Sequence, residues 1–252
     1  MENITVWLDR VQHTCQQFGQ SYIDIIIDQC GLDFSVIPAL SGFSPEIKWF
    51  SLYEGLPEDI YREDAPLLAR IELGEPQQVR WMYDLAREVH PSAPLLVMGS
   101  LWTLPSLAAW LGRCVDASLE GRGGIFRFWD TRIFPYLFSD ILADEEKSQL
   151  HQPALFWSWM NRDHQPALLM GDGTFADIEA CQQITFTDTQ YETLMCLCDT
   201  KRFLTLELLP RTLFTNNEEM FSACFHAMLE TTKQGILFAE DRDAWVIKHL
   251  KV

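Results

Sequence analysis

Apolar and polar positions follow two kinds of pattern in the first part of the chain. Short apolar or alternating runs predict β-strands: YIDIIID at 22–28, EIKWFSLY at 46–53, PLLARIEL at 66–73 and PLLVMGS at 94–100. Helical periods separate these runs, one beginning at Pro76 and another capped by Thr103. Strands that alternate with helices predict an α/β fold class, with an N-terminal lobe in which helices flank a mixed β-sheet.

The pattern changes after about residue 148. ALFWSWM at 154–160 and ALLMGDG at 167–173 predict two further short strands. From Thr187 the periodicity is helical to the end of the chain, and Thr187 with Gln190 has the spacing of a capping box. We therefore expect an α/β lobe over 1–148 and a mainly helical C-terminal lobe over 149–252.

GIFRFWDTRIFPYLF, at 124–138, is rich in aromatic residues and carries charges only at Arg127, Asp130 and Arg132. In an extended strand, Arg127 would share a face with Ile125 and Trp129. Asp130 would then stand where the strand gives way to a helix, and Asp is a favoured N-cap and a natural partner for Arg. The spacing favours a structural role for Asp130, although a catalytic Asp at such a strand end stays open.

The charge balance limits the classes of partner. The chain has 36 acidic residues against 19 Lys and Arg, a net charge of −17. Such a chain repels nucleic acid and anionic lipid, both of which are bound mainly through Lys and Arg. The N-terminus lacks the pattern of a signal peptide, and the apolar runs are too short to span a bilayer. Seven cysteines without a CxxC motif indicate free thiols in a reducing, cytoplasmic environment.

Motifs for catalysis or cofactor binding are weak. GRGG at 121–124 lacks the spacing of a phosphate loop, and the sequence has no GxSxG. His151 and His164 flank an aromatic strand and could meet, but a metal site there is the less favoured interpretation. The acidic stretch 53–64 fits either a general acid and base or a capped turn. Trp157 and Trp159 fit either the core or an exposed protein-binding patch. We expect no catalytic residue, no cofactor and no metal.

Two blocks together resemble a known family. SLYEGLPEDIYREDAPLLARIEL at 51–73 and GIFRFWDTRIFPYLF at 124–138 are similar, in this order, to motifs of the type VI secretion effector-chaperone (adaptor) family. YIDIIID resembles the opening strand of that family, and ITFTDTQYETL and TTKQGILFAEDRDAWV resemble its C-terminal segments. Its signature falls on the following residues: Glu54, Gly55, Pro57, Ala65, Pro66, Arg127, Phe128, Asp130 and Arg132.

The resemblance implies a non-enzymatic protein of the bacterial cytoplasm. Members of this family bind the N-terminal, non-toxin region of a cognate effector and help to load it onto a VgrG or PAAR spike protein. Two alternatives stay open at this point. An immunity protein would also be acidic and would bind a toxin, and a hydrolase would use the carboxylates of 54–64.

Overall fold

The computed structural model describes residues 2–251. The described residues up to Phe138, together with Leu142–Thr185, form one compact unit, and Ser139–Ile141 with the residues from Phe186 onward form a second. The helices of the first unit are α1 (Glu2–Gln17), α2 (Ile37–Leu40), α3 (Pro76–Val89), α4 (Leu104–Val115), α5 (Phe134–Tyr136) and α6 (Asp144–His151). Its main strands are β1 (Tyr22–Asp28), β2 (Lys48–Ser51), β3 (Pro66–Glu72), β4 (Leu96–Gly99), β7 (Phe156–Met160) and β8 (Pro166–Met170).

These six strands form one sheet in the order β2-β3-β1-β4-β7-β8. A second, three-stranded sheet contains β5 (Asp116–Leu119), β6 (Arg122–Ile125) and β9 (Ile184–Phe186). Short 3₁₀ turns occur at Gln29–Gly31, Pro57–Tyr61, Ile178–Ala180 and Arg211–Leu213, and a π-helical turn covers Leu137–Ile141. The α/β fold class predicted for the N-terminal part is confirmed.

The six-stranded sheet differs from the predicted mixed sheet, because all of its neighbouring strands are antiparallel. Helix α3 does connect two strands that run in the same direction, β3 and β4. However, β1 lies between them and pairs with both. A helical connection therefore does not imply that the strands it joins are hydrogen-bonded neighbours.

Helices α1 and α3 cover one face of this sheet. Ile23, Ile25 and Ile27 of β1 point to this side and pack in one core with Trp7 and Met82. Aromatic residues of the 126–137 segment lie on the opposite face. There, the ring of Phe134 lies 5.4 Å from that of Trp157, and the ring of Phe128 lies 6.3 Å from it. The central strands β1, β3 and β4 are thus buried on both faces, which explains why they read as nearly continuous apolar runs.

The compact units divide after Thr185, whereas the sequence pattern placed the change at 148/149. The physical reason is the pairing of β7 with β4, through Val97↔Ser158 and Met98↔Trp157. The two strands predicted after residue 148 are present, but they extend the N-terminal sheet. A sequence pattern reveals that a strand exists and does not show which sheet it joins.

The second unit contains α7 (Asp188–Thr205), α8 (Asn217–Lys233) and α9 (Ala239–Leu250). Thr187 and Gln190 form the predicted capping box at the start of α7. Gly235 follows α8 with φ of 68°, a conformation that favours glycine and ends the helix. Arg202 of α7 forms a two-pronged ion pair with Asp243 of α9. The helical C-terminal part is therefore also as predicted.

Within residues 2–251, no helix is both long enough and apolar enough to cross a membrane.

Candidate functional site

Two carboxylates lie on the same face of β1. Because side chains alternate along a strand, Asp24 and Asp28 point away from the α1 and α3 side, on which Ile23, Ile25 and Ile27 lie. Both carboxylates are buried. A buried carboxylate needs a cation or strong hydrogen-bond donors, and each of these two is paired with an arginine.

Asp24 is enclosed by its partner. Arg70, opposite it on β3, donates from Nε and Nη2 to the two carboxylate oxygens, at 2.7 and 2.8 Å. Arg70 Nη2 also donates to the backbone oxygen of Trp102, and its guanidinium stacks 3.7 Å from the ring of Tyr22. Burial raises the pKa of Asp24 from 3.8 to about 6, although the Arg70 hydrogen bonds and charge oppose this shift. At the Asp24 carboxyl, desolvation therefore outweighs the attraction of Arg70, whereas at Arg70 burial is outweighed by the hydrogen bonds to Asp24 and the pKa is raised.

Asp28 ends β1 and binds the first signature arginine. Arg127 Nη2 donates to Asp28 Oδ2 at 2.6 Å, across 99 positions of sequence. Burial raises the pKa of Asp28, and the charge of Arg127 opposes this rise. The second oxygen, Oδ1, is buried without a hydrogen-bond partner, and Nε1 of Trp129 lies beside the carboxylate without full hydrogen-bond geometry.

The first resembling block, residues 51–73, also contributes residues near Asp28 at the end of β1. Pro66, at the start of β3, lies directly opposite Asp28 in the sheet, and Gln29 donates from its side chain to the backbone oxygen of Ala65. Tyr53 packs edge-on against Trp129, with ring centroids 6.5 Å apart. We call Asp28, Tyr53, Pro66, Arg127 and Trp129 the β1-end cluster. It joins both signature blocks through a carboxylate that lies in neither.

Asp130 and Arg132 form a separate local pair. Arg132 donates from Nε and Nη2 to both oxygens of Asp130, and its backbone N–H donates to Asp130 Oδ1 at 3.0 Å. Burial alone would raise the pKa of Asp130, but these hydrogen bonds lower it below its ordinary value. Arg162, on the loop after β7, donates to the backbone oxygen of Arg132. The pair therefore fixes a turn.

The predicted extended strand through residues 125–129 is wrong. Strand β6 ends at Ile125, and the backbone then turns, with Phe128 N–H bonded to the oxygen of Phe126 and Asp130 N–H bonded to that of Arg127. The turn allows Phe126, Phe128 and Trp129 to be buried together, which an alternating strand could not achieve. For the same reason Asp130 caps this turn, while the short helix α5 begins only at Phe134.

Glu54, Gly55 and Pro57 lie on the turn that follows β2. Gly55 has φ of 83°, which explains why glycine stands there. Glu54 and Gly55 line an open groove of about 620 Å³, which is also lined by Arg113 of α4 and Asp116. Pro57 begins a 3₁₀ turn in which Asp59 pairs with Arg62 through two hydrogen bonds. The acidic stretch thus forms a turn and a short helix with acidic residues in its first turn, as in its structural interpretation, but Leu56 provides no side-chain cap for this helix.

The tryptophan pair and the histidine pair that the sequence singled out lie in different environments. Trp157 and Trp159 are buried, with 0 and 6% of their surface exposed, so the core interpretation describes them and they present no exposed patch. His164 contacts His90, with Nδ1 and Nε2 2.7 Å apart. His151 packs instead against the ring of Phe138, at 4.5 Å. Among residues 2–251, no group of three or more His, Cys, Asp or Glu side chains could hold a metal ion.

The sequence interpretation missed Asp24, Asp28 and Arg70. A signal was present, because YIDIIID places two carboxylates on one face of a strand that is otherwise fully apolar. Such residues require cationic partners once the strand is buried. The sequence does not show which arginines these are, since the partners come from positions 46 and 99 residues away.

The β1-end cluster lies within a segment that matches a family model. Residues 25–149 match the family described as Domain of unknown function (DUF4123). The DUF4123 segment begins within β1 and contains every residue of the resembling signature, together with Asp28. It ends before Trp157, Trp159 and the helices of the second unit. No curated protein and no solved structure was found to match the chain.

Proposed function

We propose that this chain is an adaptor of a type VI secretion system, which binds a cognate effector in the cytoplasm of the producing cell and helps to load it onto a VgrG or PAAR spike protein. One observation carries the proposal: the DUF4123 match over residues 25–149 includes both blocks through which the sequence resembles the effector-chaperone family. The effector would be bound through its N-terminal, non-toxin region.

The geometry of the signature is consistent with this role. Arg127 and Arg132 each bind a carboxylate of the chain itself, and these bonds hold backbone segments in place. In the acidic turn, Asp59 is engaged by Arg62, which is a surface ion pair. A pair of carboxyl groups that face each other across a cleft would have supported a hydrolase instead. These intrachain pairs support a structural role for the signature, which the adaptor proposal allows.

Co-expression with the effector encoded nearby tests the proposal. The untagged chain should co-purify with a tagged effector segment that lacks the toxin domain, and it should not co-purify with the isolated toxin domain. A stable complex of this kind buries roughly 1,600 Å² in total. Capture by the toxin domain alone, with loss of toxicity, would instead support an immunity protein. Failure to bind either segment would overturn the adaptor proposal.

A further inference from the structure

Strand β8 leaves one edge of the six-stranded sheet open. Its partner on the inner side is β7, with Trp159↔Ala167, Ser158↔Leu168 and Trp157↔Leu169 in register. On either side of these pairs, Asn161 N–H donates to Gln165 O and Gly171 N–H donates to Leu155 O. These two bonds show which residue pairs of β7 and β8 are hydrogen-bonded, because bonded and non-bonded pairs alternate. Residues 167 and 169 therefore bond to β7. Leu168 and Met170 direct their backbone N–H and C=O groups outward.

Apart from Pro166 at its start, this edge lacks the features that usually protect an edge strand. The opposite edge of the sheet, β2, is four residues long and begins with Lys48, a charge that discourages further pairing. In contrast, β8 is PALLM, without a charge, and Leu168 and Met170 are 49 and 51% exposed. A protein segment that bonds to a row of free backbone groups at strand spacing must itself be extended, so the geometry specifies the conformation of a bound segment.

An apolar groove runs beside this edge. Leu168 lies opposite Ser158, whose hydroxyl accepts a hydrogen bond from Trp7 of α1, so Leu168 points to the α1 side of the sheet. There, β8 and α1 enclose a groove of about 580 Å³ that is lined by apolar atoms of Val6, Val11 and Leu168. A strand added to β8 would place every second side chain over this groove. The occupant should therefore carry apolar residues at alternating positions.

The charge at the groove adds a further requirement. Arg10 lies on its wall, and among the ion pairs of the described residues it has no partner. The neighbouring Asp9, also on the wall, accepts a hydrogen bond from the hydroxyl of Tyr83 on α3. An unpaired arginine beside an apolar groove favours a carboxylate on the bound segment.

We propose that the β8 edge binds an extended segment of the effector, with apolar side chains at alternating positions and a carboxylate that pairs with Arg10. The identity of the partner rests on the proposed adaptor function. A second copy of the chain fits less well. In a symmetric pairing about Leu168, Pro166 would face Met170 and offer it no N–H, and each copy carries a charge of −17.

Two variants of the full chain test this edge by effector capture. Leu168→Pro removes an outward N–H while leaving the bonds to β7, and Arg10→Glu reverses the charge at the groove. We expect each to raise the dissociation constant for the effector segment by about tenfold or more. Leu168→Val and Arg10→Lys are the matched controls and should bind like the wild type. Circular dichroism and thermal melts verify that all four variants fold.

Hydrogen exchange supplies a second readout that does not depend on substitution. The amides of Leu168 and Met170 should become protected when the effector segment binds. If the wild type captures the effector but both variants bind equally well and these amides stay unprotected, the edge proposal is wrong while the adaptor function stands. If the chain alone forms a dimer that Leu168→Pro abolishes, the occupant is a second copy and the proposal is overturned. If the wild type captures no effector, the adaptor function itself fails, and with it the partner assigned to β8.

Discussion

Asp24 and Asp28 lie four residues apart on one face of β1, yet their arginine partners hold them differently. Arg70 binds both oxygens of Asp24, and its side chain is only 10% exposed. Arg127 binds one oxygen of Asp28, and its side chain is 36% exposed. The first pair is buried within the sheet, whereas the second connects the end of β1 to the turn at 126–130. The comparison indicates that Arg127, a residue of the resembling signature, helps to hold this turn in place.

The largest effect should follow from breaking the buried pair. Arg70→Met leaves Asp24 buried without its cation, and we expect the free energy of unfolding to fall by about 3–5 kcal/mol at pH 7. Chemical denaturation measures this change. Arg80→Met is the matched control, because Arg80 is exposed on α3 and its ion pair with Asp84 spans 3.9 Å, so its loss should cost less than about 1 kcal/mol. Equal losses of unfolding free energy in Arg70→Met and Arg80→Met would contradict the conclusion that Asp24 depends on Arg70.

The cost of Arg70→Met should also depend on pH. The pKa of Asp24 is raised to about 6 in the folded chain, above its ordinary value of 3.8, so the folded state holds this proton more tightly. Ionisation of Asp24 therefore lowers stability as pH rises from about 4 to 6, and the contribution of the neutral form is fully present below that window. At pH 5 Asp24 is mostly neutral and needs its cation less.

Denaturation curves at pH 5 and pH 7 test this expectation directly. The destabilisation by Arg70→Met should be smaller at pH 5, whereas Arg80→Met should show no such difference. A carboxyl titration of Asp24 by NMR should give a midpoint well above 4. A cost for Arg70→Met that stays constant between the two pH values would show that Asp24 is ionised throughout.

Breaking the more exposed pair should have a smaller effect. Arg127→Ala removes the cation from the buried Asp28, and we expect a loss of about 1–3 kcal/mol, less than for Arg70 because Arg127 is 36% exposed and its side chain already contacts water. Thermal melts measure the change. Arg122→Ala, in the exposed part of the same hairpin, is the control and should melt like the wild type. A larger loss from Arg127→Ala than from Arg70→Met would reverse the comparison.

The smallest effects are expected within the local turn. Asp130→Ala removes the acceptor of the Arg132 backbone N–H, at a cost of about 1 kcal/mol. Asp130→Asn keeps an oxygen acceptor and should recover part of this stability. Arg132→Ala should cost less than about 1 kcal/mol, because its side chain is 43% exposed and surface pairs contribute little. A lower melting temperature for Arg132→Ala than for Asp130→Ala would contradict this order.

The sequence predicts features that depend on local physics. Pro76 does begin α3, Thr103 does cap α4, and the Thr187–Gln190 capping box is present, because each involves bonds over a few residues. The prediction of a strand through 125–129 was wrong, because the burial of three aromatic side chains outweighs the alternation of apolar and polar residues in the sequence. The Arg127–Asp28 pair depends on how distant segments fold together, so the sequence pattern indicates that Asp28 needs a cationic partner but does not show which residue provides it. The signature residues could be named from the sequence, but the carboxylate that binds Arg127 could not.

Effector capture combined with thermal melts tests the central claim, that the Arg127, Asp130 and Arg132 signature acts through architecture. Arg127→Ala, Asp130→Ala, Arg132→Ala and the control Arg122→Ala are each compared with the wild type in both measurements. We expect Arg127→Ala and Asp130→Ala to melt at lower temperature and to lose effector only in proportion to the fraction unfolded, with Arg132→Ala close to the control in stability. If all three signature variants melt like the wild type and yet lose the effector, the signature is itself the interface and the claim is wrong.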